Sequence, residues 1–196
     1  MSSKNLTLRT AFIALFAALI SLSCFISIPV GTAGVPIVLQ NMIVIVAGAV
    51  LGVDGAIAAA LFLIAGAIGF PVFAGGRGGI ASFLAPSGGY LIGYFFGALT
   101  AGLIVNVTLS KNSKPTLLTY IKVSVAVVLG FAIIDIFGTA RLAQIIMKTK
   151  HLSFAQSIKP ALLAGVAPFI IGDIIKIIIA IPLSVKLRSA LSKYLS

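Results

Sequence analysis

Long apolar runs with almost nothing charged inside them set the first constraint on this fold. The stretch 170–183 is apolar apart from Asp173, Lys176 and two small breaks, Gly172 and Pro182, and comparable runs recur along the chain. Only 9% of the 196 residues are charged, while 60% are hydrophobic. An ordinary soluble domain carries about 25% charged residues. A water-soluble globule of this size needs more polar surface than that, so the solvent for most of this chain is lipid. A crossing helix takes about 20 apolar residues, and with short loops the length accommodates about six. A membrane barrel would alternate in polarity over segments of about 10 residues; these runs do not, so they read as helices. The expected architecture is all-α and integral to the membrane, one domain over 1–196. Its six-helix bundle spans about 8–28, 35–51, 55–70, 88–109, 116–138 and 160–187, with a Gly/Pro-rich loop between helices three and four.

The charges that remain are lopsided. There are 14 Lys and Arg against three acids, Asp54, Asp135 and Asp173. Such a balance could suit nucleic acid, but basic residues that flank apolar spans belong at anionic headgroups, so no nucleic-acid partner is expected. An even number of crossings puts both termini on one side. That side collects Lys4, Arg9, Lys111, Lys114, Lys122, Lys186, Arg188 and Lys193; the other collects Arg77, Arg141, Lys148, Lys150 and Lys159. The excess places both termini in the cytoplasm. Lys4 and Arg9 ahead of an apolar stretch resemble the start of a signal peptide, but no small-residue cleavage site follows cleanly. The segment reads as a retained first span. The single cysteine, Cys24, rules out an internal disulfide and a CxxC metal site, and no metal site is expected.

Chemistry has few places to sit. Asp173 and Lys176 are three residues apart, so they share one face of a helix. Charges inside a span are costly and face a bundle interior or a cavity. They can therefore serve a ligand, or simply pair with each other. Asp135 falls near the end of the fifth span with Arg141 six residues on, where pairing or capping is the plain reading. The stretch 71–89, PVFAGGRGGIASFLAPSGG, is poor in helix formers. Its glycines, Gly79 among them, let a ligand approach backbone N–H groups closely. Arg77 offers a fork for a carboxylate, or is a solvated loop residue. Ser87 opens the fourth span, as an N-cap or as a donor beside the orphan N–H groups of a helix start. Tyr90 follows it. Gln40 and Asn41 lie early in the second span, where a buried amide needs either a ligand or a neighbouring helix. Small residues recur at helical spacing: Ala14 and Ala18; Gly48 and Gly52; Gly93, Gly97 and Ala101. Such pairs suit close helix packing within the bundle, or docking of another subunit, for which Ala14 and Ala18 are the best placed.

No phosphate-binding GxxxxGK[ST], HExxH or GxSxG is present. One histidine, one cysteine and three acids cannot build most catalytic sets, so no catalytic residue and no cofactor is expected.

Read in order, Gln40, then Leu51–Gly52, Gly66-Ala-Ile-Gly69-Phe-Pro71-Val-Phe73, Gly78–Gly79, Ala85-Pro-Ser-Gly-Gly-Tyr90 and Pro168-Phe169-Ile-Ile-Gly172-Asp173-Ile-Ile-Lys176 resemble one family. It is the BioY family, the biotin-specific substrate-binding (S) components of energy-coupling factor (ECF) transporters. The resemblance covers about 40–176. It implies a six-helix subunit of a bacterial plasma membrane that binds biotin near the outer side. It also implies partners: a transmembrane coupling protein and two ABC-type ATPase subunits, with Ala14 and Ala18 at the contact. The chemistry of biotin fits the residues. Asp173 can accept a ureido N–H, and Lys176 or an amide (Gln40, Asn41) can serve the carbonyl. Phe73, Tyr90 and Phe169 can wall the thiophane ring and chain. Ser87, Gly79 or Arg77 can meet the carboxylate. The chain departs from the family pattern in two places. Ala85-Pro-Ser stands for Gly-Pro-Thr, which keeps a hydroxyl at Ser87. Phe62 stands where an aromatic hydroxyl is common.

Overall fold

The computed structural model describes residues 3–28, 35–109 and 115–195, with side chains described over 6–27, 35–109 and 115–191. The side chains of Lys4, Lys111, Lys114 and Lys193, counted above for orientation, fall outside that description. Helix α1 (Ser3–Leu22) ends in a 3-10 turn (Ser23–Phe25) and runs into strand β1 (Ser27–Ile28), which pairs antiparallel with β2 (Ile37–Val38). Helices α2 (Gln40–Leu51), α3 (Val53–Ala67), the short α4 (Ala81–Leu84), α5 (Gly88–Thr108), α6 (Leu117–Lys150), α7 (Phe154–Gly165) and α8 (Ile170–Leu195) follow.

The helical stretches Leu6–Phe25, Gly88–Thr108 and Leu117–Lys150 are each long and apolar enough to cross a membrane. Phe154–Gly165 and Ile170–Leu191 meet at 65° and make a fourth as a bent pair. Helices α2 and α3 are apolar but short, at 12 and 15 residues. They join with only Gly52 between them, at φ 70°, a left-handed conformation that favours glycine.

Helix α2 is the centre of the bundle. It packs against α1, α3, α5, α6 and α8, and ten of its residues are buried. Three of the small residues flagged in the sequence, Gly48, Gly93 and Gly97, are where backbones meet. A Cβ on Gly48 would lie 2.3 Å from the Ala98 carbonyl oxygen of α5, and one on Gly97 would lie 2.8 Å from the Gly130 oxygen of α6. Glycine is what lets these helices touch along their main chains.

Several boundaries differ from the sequence reading. The first span gives up its last residues to the β1–β2 ribbon, and the second begins as that ribbon. Ile37 and Val38 are β-branched and stand too few residues ahead of Gln40 to form a turn of their own helix. The fifth helix does not stop at 138. It runs to Lys150, because Leu142 and Ala143 continue its buried face against Ala161 of α7. The stretch 141–159, between the expected fifth and sixth spans, is thus mostly helix, broken at the αL residue His151. Ser153 and Gln156 restart it with a capping box. The sixth span is divided by a bend at 166–169.

One end of the bundle is fastened by charge. Arg9 of α1 makes a two-pronged ion pair with Asp54 in the first turn of α3. Arg188 of α8 donates to the carbonyls of Ala49 (3.4 Å) and Val50 (3.1 Å) at the end of α2. Lys122 of α6 donates to the Thr108 carbonyl at the end of α5, 2.7 Å away. Cations at helix C-termini satisfy orphan carbonyls and complement the dipole. Asp54 and Val50 are neighbours along the chain, so the start of α1 and the later part of α8 lie at this same end.

Candidate functional site

At the other end the bundle holds a partly open cavity with about 630 Å³ of empty space, some of it continuous with the outside. It is walled by the β2 strand, the starts of α2, α5 and α8, the middle of α6, and the Gly-rich segment. Asp173, Lys176, Tyr90, Ser87, Gln40, Asn41, Arg77, Phe73 and Phe169 all line it.

Its polar floor is a three-residue network. Lys176 Nζ donates to Asp173 Oδ1 at 2.9 Å and to Asn41 Oδ1 at 3.1 Å. Asn41 Nδ2 donates to the same Asp173 oxygen at 3.2 Å. The i,i+3 spacing brings the ion pair together on α8, and α2 supplies the amide across the helix–helix contact. Asp173 sits in the first turn of α8, where the dipole favours a carboxylate. Lys176 is only 8% exposed. A buried ammonium this close to a carboxylate is held in place by pairing.

The apolar walls are aromatic. The Phe73 ring meets Phe62 edge-on at 5.4 Å and Phe83 at 5.6 Å, and Phe62 lies 6.2 Å from Tyr94. Phe62 has no polar duty; it is 1% exposed and backs the wall. Gly66 makes room for Phe73, since a Cβ there would lie 2.1 Å from the ring. Tyr90 donates its hydroxyl to the Gly165 carbonyl at 2.6 Å, tying α5 to the end of α7. Tyr90→Phe is expected to lower stability by about 1 kcal/mol, seen as a small drop in the melting temperature of the detergent-solubilised chain. No drop would mean that this bond is matched by solvent in the unfolded state.

Other expected residues have more specific places. Gln40 is fully buried, and its Nε2 donates to the carbonyls of Ile20 (3.2 Å) and Val72 (2.7 Å). It therefore binds α1 to the loop before Phe73, with its Oε1 enclosed and unpartnered. Arg77 is exposed and pairs with Phe73 in a β-bridge. Its Nε donates to the Ala74 carbonyl at 3.0 Å. Ser87 stands at the N-cap of α5 without a side-chain capping bond, so the N-cap role is not the one its hydroxyl plays. Gly79 is away from the cavity, and its N–H goes to the Gly66 carbonyl at 2.7 Å.

Sequence reasoning passed over Tyr94 and gave Asp135 a pairing or capping role; both line the cavity. Arg141 does not pair with Asp135, as expected above; its guanidinium reaches the Leu84 carbonyl instead. The signal for Asp135 was its cost, a carboxylate within an apolar run. Tyr94 lies one helical turn beyond Tyr90 on the same face.

A model described as the BioY family matches residues 1–193. A biotin transporter BioY of Rhodobacter capsulatus is 39% identical over 184 residues, 90% of this chain and 88% of that protein. The biotin transporter BioY of Rhizobium etli is 36% identical over 182 residues, 92% of this chain and 90% of that one. The fold is similar to the crystal structure of the S-component for biotin from an ECF-type ABC transporter, with a TM-score of 0.77, 32% identity, and coverage of 96% of this chain and 94% of the other. A match of this extent, on a bundle that closes a cavity over Asn41, Asp173 and Lys176, means that the chain belongs to the BioY family.

Proposed function

We propose that this chain captures biotin in the α2–α6–α8 cavity as the substrate-binding component of an ECF-type uptake transporter. The observation that carries the reading is the Asn41–Asp173–Lys176 network at the foot of an aromatic-walled cavity. Among the described residues no hydrogen bond engages Asp173 Oδ2, and Lys176 keeps a third N–H. Together they offer one acceptor and one donor, the complement of an N–H and the carbonyl of a cyclic urea. Phe73, Tyr90 and Phe169 supply apolar walls for the thiophane ring and chain. Arg77, exposed at the cavity edge, meets the valerate carboxylate, with Ser87 as a further donor. The chain is a carrier and not an enzyme.

In this reading the chain crosses the membrane six times, through α1, α2, α3, α5, α6 and α8, with α7 as the bent outer half of the last. The Gly-rich segment 71–87 closes the outer side. The charge-fastened end, with Arg9, Lys122 and Arg188, faces the cytoplasm together with both termini, and the host membrane is a bacterial plasma membrane. Energy comes from partners, a coupling protein and two ABC-type ATPases. Ala14 and Ala18 are exposed on α1, as a small-residue docking face for the coupling protein requires.

Titration calorimetry of the purified chain in detergent, with no ATPase present, tests the reading. Saturable binding of biotin near one per chain is expected. A folded sample that binds no biotin ends the biotin assignment, and binding of a different vitamin in a panel would replace it.

A further inference from the structure

The floor network leaves a count unfinished. Lys176 and Asn41 both donate to Asp173 Oδ1. Asn41 Oδ1 already accepts from Lys176 and from the Met42 N–H. That leaves Asp173 Oδ2 for one ring N–H and Lys176 for the ring carbonyl. A cyclic urea has two N–H donors, on opposite sides of its carbonyl, and a buried donor left unpaired is costly. The second N–H needs an acceptor from another wall.

We propose that Asp135 is that acceptor, an assignment that rests on the biotin reading above. Asp135 enters the cavity from α6, whereas Asp173 enters from α8. It is half-buried, and among the described residues no hydrogen bond or ion pair engages it. Arg141, the cation nearest to it in sequence, is spent on Leu84. The rival acceptor, Gln40 Oε1, is enclosed on a residue with 0% exposure and fixed by two carbonyls. The Tyr90 hydroxyl proton is committed to Gly165. A carboxylate kept unpaired within a span is expensive unless something polar comes to it. The charges agree: two carboxylates and one ammonium line the inner cavity, and Arg77 stands exposed at its edge. A ligand with a donor-rich head and an anionic tail is oriented by that polarity.

The test uses the full chain in detergent and three ligands: biotin, and the two cyclic carbamates in which a ring oxygen replaces one or the other N–H. Asp135→Asn keeps a carbonyl acceptor without the charge, and should weaken biotin about 10-fold. Asp135→Leu removes the acceptor, and should weaken it about 100-fold. The carbamate whose oxygen faces position 135 should bind Asp135→Leu as well as or better than the wild type, because a repulsion is relieved. The other carbamate should lose the same factor as biotin. Melting temperature and elution volume confirm folding. Should the Leu variant not fold, the Asn variant must show the same pattern at reduced size. Biotin binding within about twofold of wild type in Asp135→Leu, or an equal loss for all three ligands, overturns the assignment while leaving the biotin reading intact. A wild-type chain that ignores biotin overturns the reading itself.

Discussion

Asp173→Asn is expected to weaken biotin binding roughly 30- to 700-fold, equivalent to about 2–4 kcal/mol. The substitution preserves size and removes charge. Two effects add. The ligand loses a charge-assisted acceptor, replaced by an amide with a single carbonyl oxygen. Lys176, 8% exposed, loses the carboxylate it sits 2.9 Å from, and an uncompensated buried cation disturbs the floor around it. Asn41 then has to serve both neighbours. Calorimetry of the purified variant beside wild type, with matched elution profiles, is the measurement. An affinity within threefold of wild type would remove Asp173 from the ligand's reach and return the ion pair to a purely structural role.

Gly48→Ala is expected to cost stability rather than chemistry, by about 3 kcal/mol. The added methyl carbon would stand 2.3 Å from the Ala98 carbonyl oxygen and 3.0 Å from its carbon. Those atoms are main chain in α5 and have no rotamer to escape into. The two helices must part, and close-packed interiors transmit such a shift. Gly172 gives the control. A Cβ there has nothing within 4 Å, so Gly172→Ala should change stability by no more than about 1 kcal/mol, in the favourable direction if at all. Thermal unfolding of both variants in one detergent decides it. Equal melting temperatures would mean that α2 and α5 can separate freely, contrary to the packing described.

Much of the cavity's lining was legible because charge inside lipid is so costly that it marks itself. Asp173 and Lys176 stood out in an apolar run, and spacing alone put them on one face. The glycines of α2 and α5 were legible for a similar reason, since small residues at helical intervals have few uses in a membrane beyond close contact. What stayed hidden depended on partners far along the chain. Nothing local to Gln40 says that its amide will bridge Ile20 and Val72. Nothing near Asp135 says that Arg141 will turn to Leu84 and leave the carboxylate to the cavity. The length of α6 was hidden because hydropathy falls after 138 while the buried face, through Leu142 and Ala143, continues against α7. That face exists only once α7 folds back. The β1–β2 ribbon was missed because two-residue strands carry too little pattern to read.

The network at the cavity floor also has a consequence for how the chain is made. Asn41 and its two partners are 132 and 135 residues apart in sequence. Helix α2 enters the membrane early, and α8 is the last of these helices to be synthesised. Until α8 arrives, the amide of Asn41 has neither its cation nor its carboxylate, and α2 has no neighbour on that flank. Assembly of the site is therefore the closing step of biogenesis rather than an early one, as high sequence separation demands. A nascent chain stalled before 170 holds most of the bundle but lacks Asp173 and Lys176, and so two of the three members of the floor network.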